Sequence, residues 1–268
     1  MKILLIKRAA RFSPNMQDKD AAILFAVAQQ LEKTGCGTEV CSEGELPNDL
    51  EGWSAIAHMA RSEKTLHSLC RVEEMGIPIV NSARCLMQMN RRVLLATCQE
   101  NGICVPPFAI NGKESLTFPL WWKRDDRVSQ EVGDVRLIHN EEEWEEVISS
   151  SVKEYVAEQH MEGDLIKFYS VRNTDFFHWL YPTFSKFGKE CANGKAYGLD
   201  FDEKELKTQA DKLANAMGID VFGGDAVIGK DGKAYIIDFN DWPSFSSCRE
   251  EAAEAIAQTI LHKTNGQG

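Results

Sequence analysis

Two stretches near the C-terminal end, VFGGDAVIG (221–229) and AYIIDFND (234–241), carry oxygen-bearing side chains where an ion could be held. Asp238 and Asn240 are two apart, so on a strand they share a face. The turn GKDGK joins the two apolar runs and predicts a hairpin that pairs residues 221–228 with 233–240. Asp225 lies on the first arm, which brings three hard-oxygen groups toward one surface. Such a set suits Mg²⁺, which takes one or two carboxylates and completes its shell with water and phosphate oxygens. The competing reading is a strand end whose Asp and Asn merely open a turn. Ile236, Ile237 and Phe239 are expected to secure the strand by burial.

These residues need elements to position them. KILLI (2–6), a basic loop and DKDAAILFAVAQQLEKTG read as strand, loop and helix, the helix stopping at Gly35. TEVCS and SAIAHM follow as strands, SEKTLHSLCRVEEMG as a helix capped by Ser62, and IPIVNS as a further strand. That alternation predicts a small parallel sheet over residues 1–82. Residues 83–101 read as helical, and GICVPPF ends them. FPLWWKRDD, DVRLIHN, EYVAEQHM, DLIKFYSVR and FFHWLYPTF are strand-like, with the acidic helix EEEWEEVISS between the second and third, which suggests a mainly antiparallel sheet. The remainder adds the helix DEKELKTQADKLANAMG, the hairpin, and a last helix from about Arg249 to His262.

Composition narrows the class. The chain has 268 residues, 43% of them hydrophobic, enough to bury a sizeable core. Its eight cysteines form no CxxC pair, which argues against zinc or a disulfide framework and fits a reducing cytosol. No run approaches the roughly 20 apolar residues of a membrane span. A net charge of −11 argues against general nucleic-acid binding and leaves small anionic ligands open. The oligomeric state is left open.

In order and spacing, GIPIVNS, NRRVLLATCQENGICVPPF, FPLWWK, YVAEQHMEGDLIKFYSV, GGDAVIG and IIDFNDWPSF together resemble the ATP-grasp family. The resemblance implies an α/β and α+β molecule: an N-terminal Rossmann-like parallel-sheet domain (1–82), a helical connection (83–118), a small central subdomain (119–160), and a C-terminal subdomain carrying the metal site (161–268). ATP would lie between the last two with two Mg²⁺ ions on its phosphates. Lys123 matches the phosphate-binding lysine, Arg91 a second phosphate-directed cation, and Glu158, Gln159 and Met161 the hinge that recognises adenine. Asp225, Asp238 and Asn240 match the metal positions, where many members have Glu at the place of Asp238. The polar stretch RDDRVSQEVGDV lacks the glycine-rich character of a phosphate-covering loop.

The family contains carboxylate–amine ligases and a smaller branch of inositol phosphate kinases. Lys167 in IKFYSV, the NRRVLL helix start and IDFNDWP look more like the kinases. Lys7, Arg8 and Arg11 resemble that branch's basic segment and should lie at the carboxyl end of the first strand. His58 matches a substrate histidine, although Met59 replaces the lysine that usually follows, and Ser244 lies in PSFSS, which lacks the usual glycine. Arg172, Lys186, Lys189, Lys195 and Arg249 are further candidates for an anionic pocket. The resemblance thus implies γ-phosphoryl transfer to a small anion, an inositol phosphate or a carboxylate. Kinase stands first, an ADP-forming ligase second, and a non-catalytic nucleotide-binding regulator third.

Overall fold

The computed structural model describes residues 1–13, 17–125, 133–150, 154–182 and 192–266. The first sheet is parallel, in the order β2-β1-β3-β4: β1 Lys2–Lys7, β2 Gly37–Ser42, β3 Ala55–His58 and β4 Ile79–Val80. KILLI is apolar on both faces because both are covered. Ile3 and Leu5 pack toward α1 (Gln17–Lys33) and the last helix, α7 (Arg249–Thr264), while Leu4 and Ile6 pack toward α2 (Glu63–Glu74) and α3 (Ala83–Gln88). The helical stretch expected over 83–101 is broken into α3 and α4 (Arg91–Glu100). Asn90 causes the break: it is extended, and its Oδ1 accepts from Val93 N–H at 2.8 Å as an N-cap.

A second sheet, antiparallel, has the order β5-β8-β6-β7: β5 Phe108–Ile110, β6 Leu120–Arg124, β7 Val135–Ile138 and β8 Tyr155–Gln159. α5 (Glu141–Ser150) covers it over a core of Leu120, Trp122, Ile138, Trp144, Val147 and Ala157. Three glutamates in the first turn of α5 suit the positive end of its dipole. β5 pairs with β8 and so joins this sheet ahead of residue 119, where the proline-rich sequence suggested only a connection.

The third sheet, β10-β9-β11-β12, is also antiparallel: β9 Gly163–Val171, β10 Phe177–Leu180, β11 Val221–Gly229 and β12 Ala234–Asp241. α6 (Glu203–Met217), capped by Asp202, packs on it. Both large cores run continuously from the first sheet into the third, whereas the central sheet has its own. No helix among the described residues is long and apolar enough to cross a membrane.

The hairpin β11–β12 forms as the turn chemistry predicts, with one departure. Ala226 pairs with Ile236, but Asp225 pairs with Asp238, so a bulge at Ile237 shifts the register. In an unbroken ladder Asp225 would face Ile237, and Asp238 would point to the other side of the sheet. The bulge therefore brings Asp225 and Asp238 onto one face. It also turns Ile237 away from the core, half-buried, where burial was expected. Gly224 lies beside it, and a Cβ there would come within 2.2 Å of the Asp238 carbonyl oxygen.

Candidate active site

The ladder aligns Lys167 on β9 with Asp225 on β11, and Asp225 with Asp238 on β12. Lys167 Nζ donates to Asp225 Oδ1 at 2.9 Å. Arg91 Nη1 lies 3.8 Å from Asp238 Oδ1, and its Nε donates to the Arg124 carbonyl at 3.1 Å, so the first residue of α4 links the hairpin to the central sheet. Asp225 is buried, Asp238 half-buried and Asn240 exposed. Among the described residues no group of three or more His, Cys, Asp or Glu side chains is gathered as for a metal ion. The hairpin instead offers two carboxylates and an amide, a hard-oxygen set that fits Mg²⁺ when phosphate and water supply the other ligands.

Beyond the row lies a slot between the central and C-terminal sheets. Lys123 is buried at its edge: Nζ is 2.5 Å from Glu158 Oε2 and donates to the Ile237 carbonyl at 3.0 Å. The bulge residue thus supplies the acceptor that holds this lysine. Glu158 is 3% exposed, so each charge depends on the other. Trp121, His160, Met161, Asn193, Val227 and Ile237 wall the slot, whose free volume is about 10 Å³. That is room for about one water, so a purine would enter only as the two sheets part. Trp121 Nε1 donates to His160 Nδ1 at 3.2 Å, and burial holds the His160 pKa below its ordinary value, favouring the neutral ring that accepts this bond. Gln159 points away from the slot's base, with Nε2 donating to the Thr117 and Pro119 carbonyls at 2.9 and 3.1 Å.

The basic segment after β1 divides. Arg8 turns inward, 3.6 Å from Asp20 and 3.9 Å from Asp241, and donates to the Met59 and Trp242 carbonyls. Asp241, 1% exposed, is also paired with Arg61. Lys7 is half-buried, and Arg11 is exposed with its guanidinium over the Phe12 ring. His58 is wholly buried: Nε2 donates to the Asn81 carbonyl at 2.8 Å, and Nδ1 accepts from Ala60 N–H at 3.3 Å. It presents no surface to a ligand. Ser244 Oγ shares a hydrogen bond with Ser246 at 3.0 Å. Arg172 is paired with Asp220, and Lys195 is exposed. Lys186 and Lys189 lie outside the described residues, as does most of the polar stretch after Asp125.

No protein-family model and no curated protein matches this sequence. Solved structures do match the fold. A RimK domain ATP-grasp protein from Sphaerobacter thermophilus aligns over 97% of this chain and 100% of its own, with 16% identity and a TM-score of 0.68. D-alanine–D-alanine ligase from Bacillus anthracis, complexed with ATP, aligns over 100% and 99%, with 13% identity and a TM-score of 0.66. This is the ATP-grasp fold. The ATP-grasp ligase PsnB, complexed with a minimal precursor, Mg and ADP, is similar over 98% of each chain, with 14% identity and a TM-score of 0.65.

Within this fold, sequence reasoning missed three participants. The bulge at Ile237 left no mark in an apolar run. Asp241 carried no signal of its own, because its pairing with Arg8 and Arg61 depends on where the first sheet docks. Asn193 lies in a polar stretch of no evident pattern, yet it lines the slot and donates to the Met161 carbonyl at 2.8 Å.

Proposed function

We propose that this chain uses ATP and Mg²⁺ to phosphorylate a carboxylate and joins the acyl group to an amine, releasing ADP and phosphate. The carrying observation is the row Lys167, Asp225 and Asp238 across three strands, next to a slot edged by the buried Lys123. Asp225, Asp238 and Asn240 would hold Mg²⁺, which when bound neutralises phosphate charge. Lys123, buried and held by Glu158 and Ile237, supplies a fixed positive charge for the α- and β-phosphates. Arg91, between Asp238 and the central sheet, and Lys167 add positive charge near the transferring group. A carboxylate oxygen bonds to the γ-phosphorus as its bond to the β–γ bridging oxygen breaks, leaving ADP and an acyl phosphate. The amine nitrogen then bonds to the acyl carbon, phosphate departs, and the nitrogen loses a proton. A loose transition state asks for positioning and charge rather than a strong base.

The named ATP-grasp ligases of the same fold support this reading over a kinase. The kinase reading retains Arg91 and Lys167 but has His58 in the core rather than at a surface. ADP release by the purified chain with Mg-ATP separates the readings. A ligase requires a carboxylate, and hydroxylamine traps its acyl phosphate as a hydroxamate. ADP release with an inositol phosphate and no amine would establish a kinase instead. Tight ATP binding without turnover in either panel would establish a regulator.

A further inference from the structure

Asn193 carries an assignment beyond the hinge. Its Nδ2 lies 2.8 Å from the Met161 carbonyl oxygen and 3.2 Å from that of Gly163. Two carbonyls at one end of an amide fix its orientation, because the flipped amide would set three acceptors against one another. Both N–H bonds are therefore spent on the hinge backbone, and Oδ1 remains as an acceptor with no protein donor among the described residues. Asn193 lines the slot beside Met161 and Glu158, so this amide oxygen belongs to one of the residues that wall it.

We infer that Asn193 is the base-reading residue of this slot, accepting from the exocyclic amino group of a 6-aminopurine and rejecting a 6-oxopurine. The inference rests on the proposed nucleotide site and adds its specificity. A 6-oxo group would face Asn193 Oδ1 oxygen to oxygen, leaving two buried acceptors without a proton between them, an arrangement that discriminates strongly in buried sites. The amide is held independently of any ligand. Asp164, 1% exposed, accepts from the Tyr197, Gly198 and Leu199 amides at 2.7 Å each and pins the segment that follows Asn193. Asn193→Ala therefore removes the acceptor while Asp164 keeps that segment in place.

Isothermal titration of the full chain with Mg-ATP, Mg-ITP and the Mg-triphosphate of purine riboside, which has hydrogen at position 6, tests the assignment. The wild-type chain is expected to bind in the order ATP, purine riboside triphosphate, ITP, with about tenfold between the first and last. Asn193→Ala is expected to bring the ATP to ITP ratio close to one. A ratio unchanged by the substitution, with ATP still bound, overturns the role of Asn193 and leaves the nucleotide site standing. Failure of the wild-type chain to bind any of the three overturns both. If Asn193→Ala does not fold, the wild-type order still decides, and equal affinity for ATP and ITP overturns the assignment.

Discussion

Asp225 and Asp238 face each other across β11 and β12 through a register shift of one residue immediately after Asp225. Asp238→Asn keeps the side-chain shape and removes the charge. The proposed chemistry expects the ATP-dependent rate to fall at least about a hundredfold, with a melting temperature close to wild type. The Mg²⁺ concentration for half-maximal rate should rise as well. Full activity at low Mg²⁺ would remove Asp238 from the metal site.

Gly224 has a steric reason to remain glycine. A Cβ would lie 2.2 Å from the Asp238 carbonyl oxygen and 2.5 Å from the Phe168 ring. Both neighbours sit in a closely packed part of the sheet, so Gly224→Ala should cost about 1–3 kcal/mol and displace Asp238. Gly44, where a Cβ would meet nothing within 4 Å, is the control. Gly44→Ala should change stability by less than about 0.5 kcal/mol. Denaturant unfolding of the two variants checks the contrast, and equal stabilities would refute the steric account.

The frame and the candidate row were legible where local chemistry carries the signal. KILLI announces a strand covered on both faces, GKDGK announces the hairpin, and Ser62 announces the start of α2, where its Oγ accepts from Thr65 N–H. The same local reading could not see parity. Asp225 and Asp238 share a face through a bulge that nothing in IIDF marks, and Ile237 changes from core residue to slot wall with it. His58 shows the converse: a polar residue at a strand end reads as a site, but the docking of Asn81 encloses it. β5 was hidden because three residues after two prolines carry too little pattern, and their partner, β8, is far along the chain.

Lys123 and Glu158 form a pair with side chains 2% and 4% exposed. Removing one charge strands the other, so Lys123→Met should cost about 3–5 kcal/mol. Adding Glu158→Leu removes the stranded carboxylate and should restore most of that loss. Mg-ATP binding should be weak in both variants, since neither presents the Lys123 cation to the α- and β-phosphates. Denaturant unfolding together with nucleotide titration separates the roles. A double variant that regains stability and binds Mg-ATP normally would make the pair structural only.

His58 makes stability depend on pH in a direction that can be worked out. The ring is buried and neutral between Ala60 N–H and the Asn81 carbonyl, and burial lowers its pKa to about 4 from 6.5. The unfolded chain takes up a proton below about 6.5, whereas the folded chain resists until about 4. The contribution is thus complete above that upper value and declines as pH falls through the window, by about 1.4 kcal/mol per unit. At pH 5 the expected loss is about 2 kcal/mol relative to pH 7.5. The consequence extends beyond the ring, because Asn81 Oδ1 accepts from the Asp220 and Val221 amides at 2.8 and 2.7 Å and joins the first sheet to the third. Other groups titrate in the same range, so the informative quantity is the difference in slope between wild type and His58→Gln. The variant should be less stable at pH 7.5 and lose less between pH 7.5 and 5, and identical slopes would show that His58 is not the group responsible.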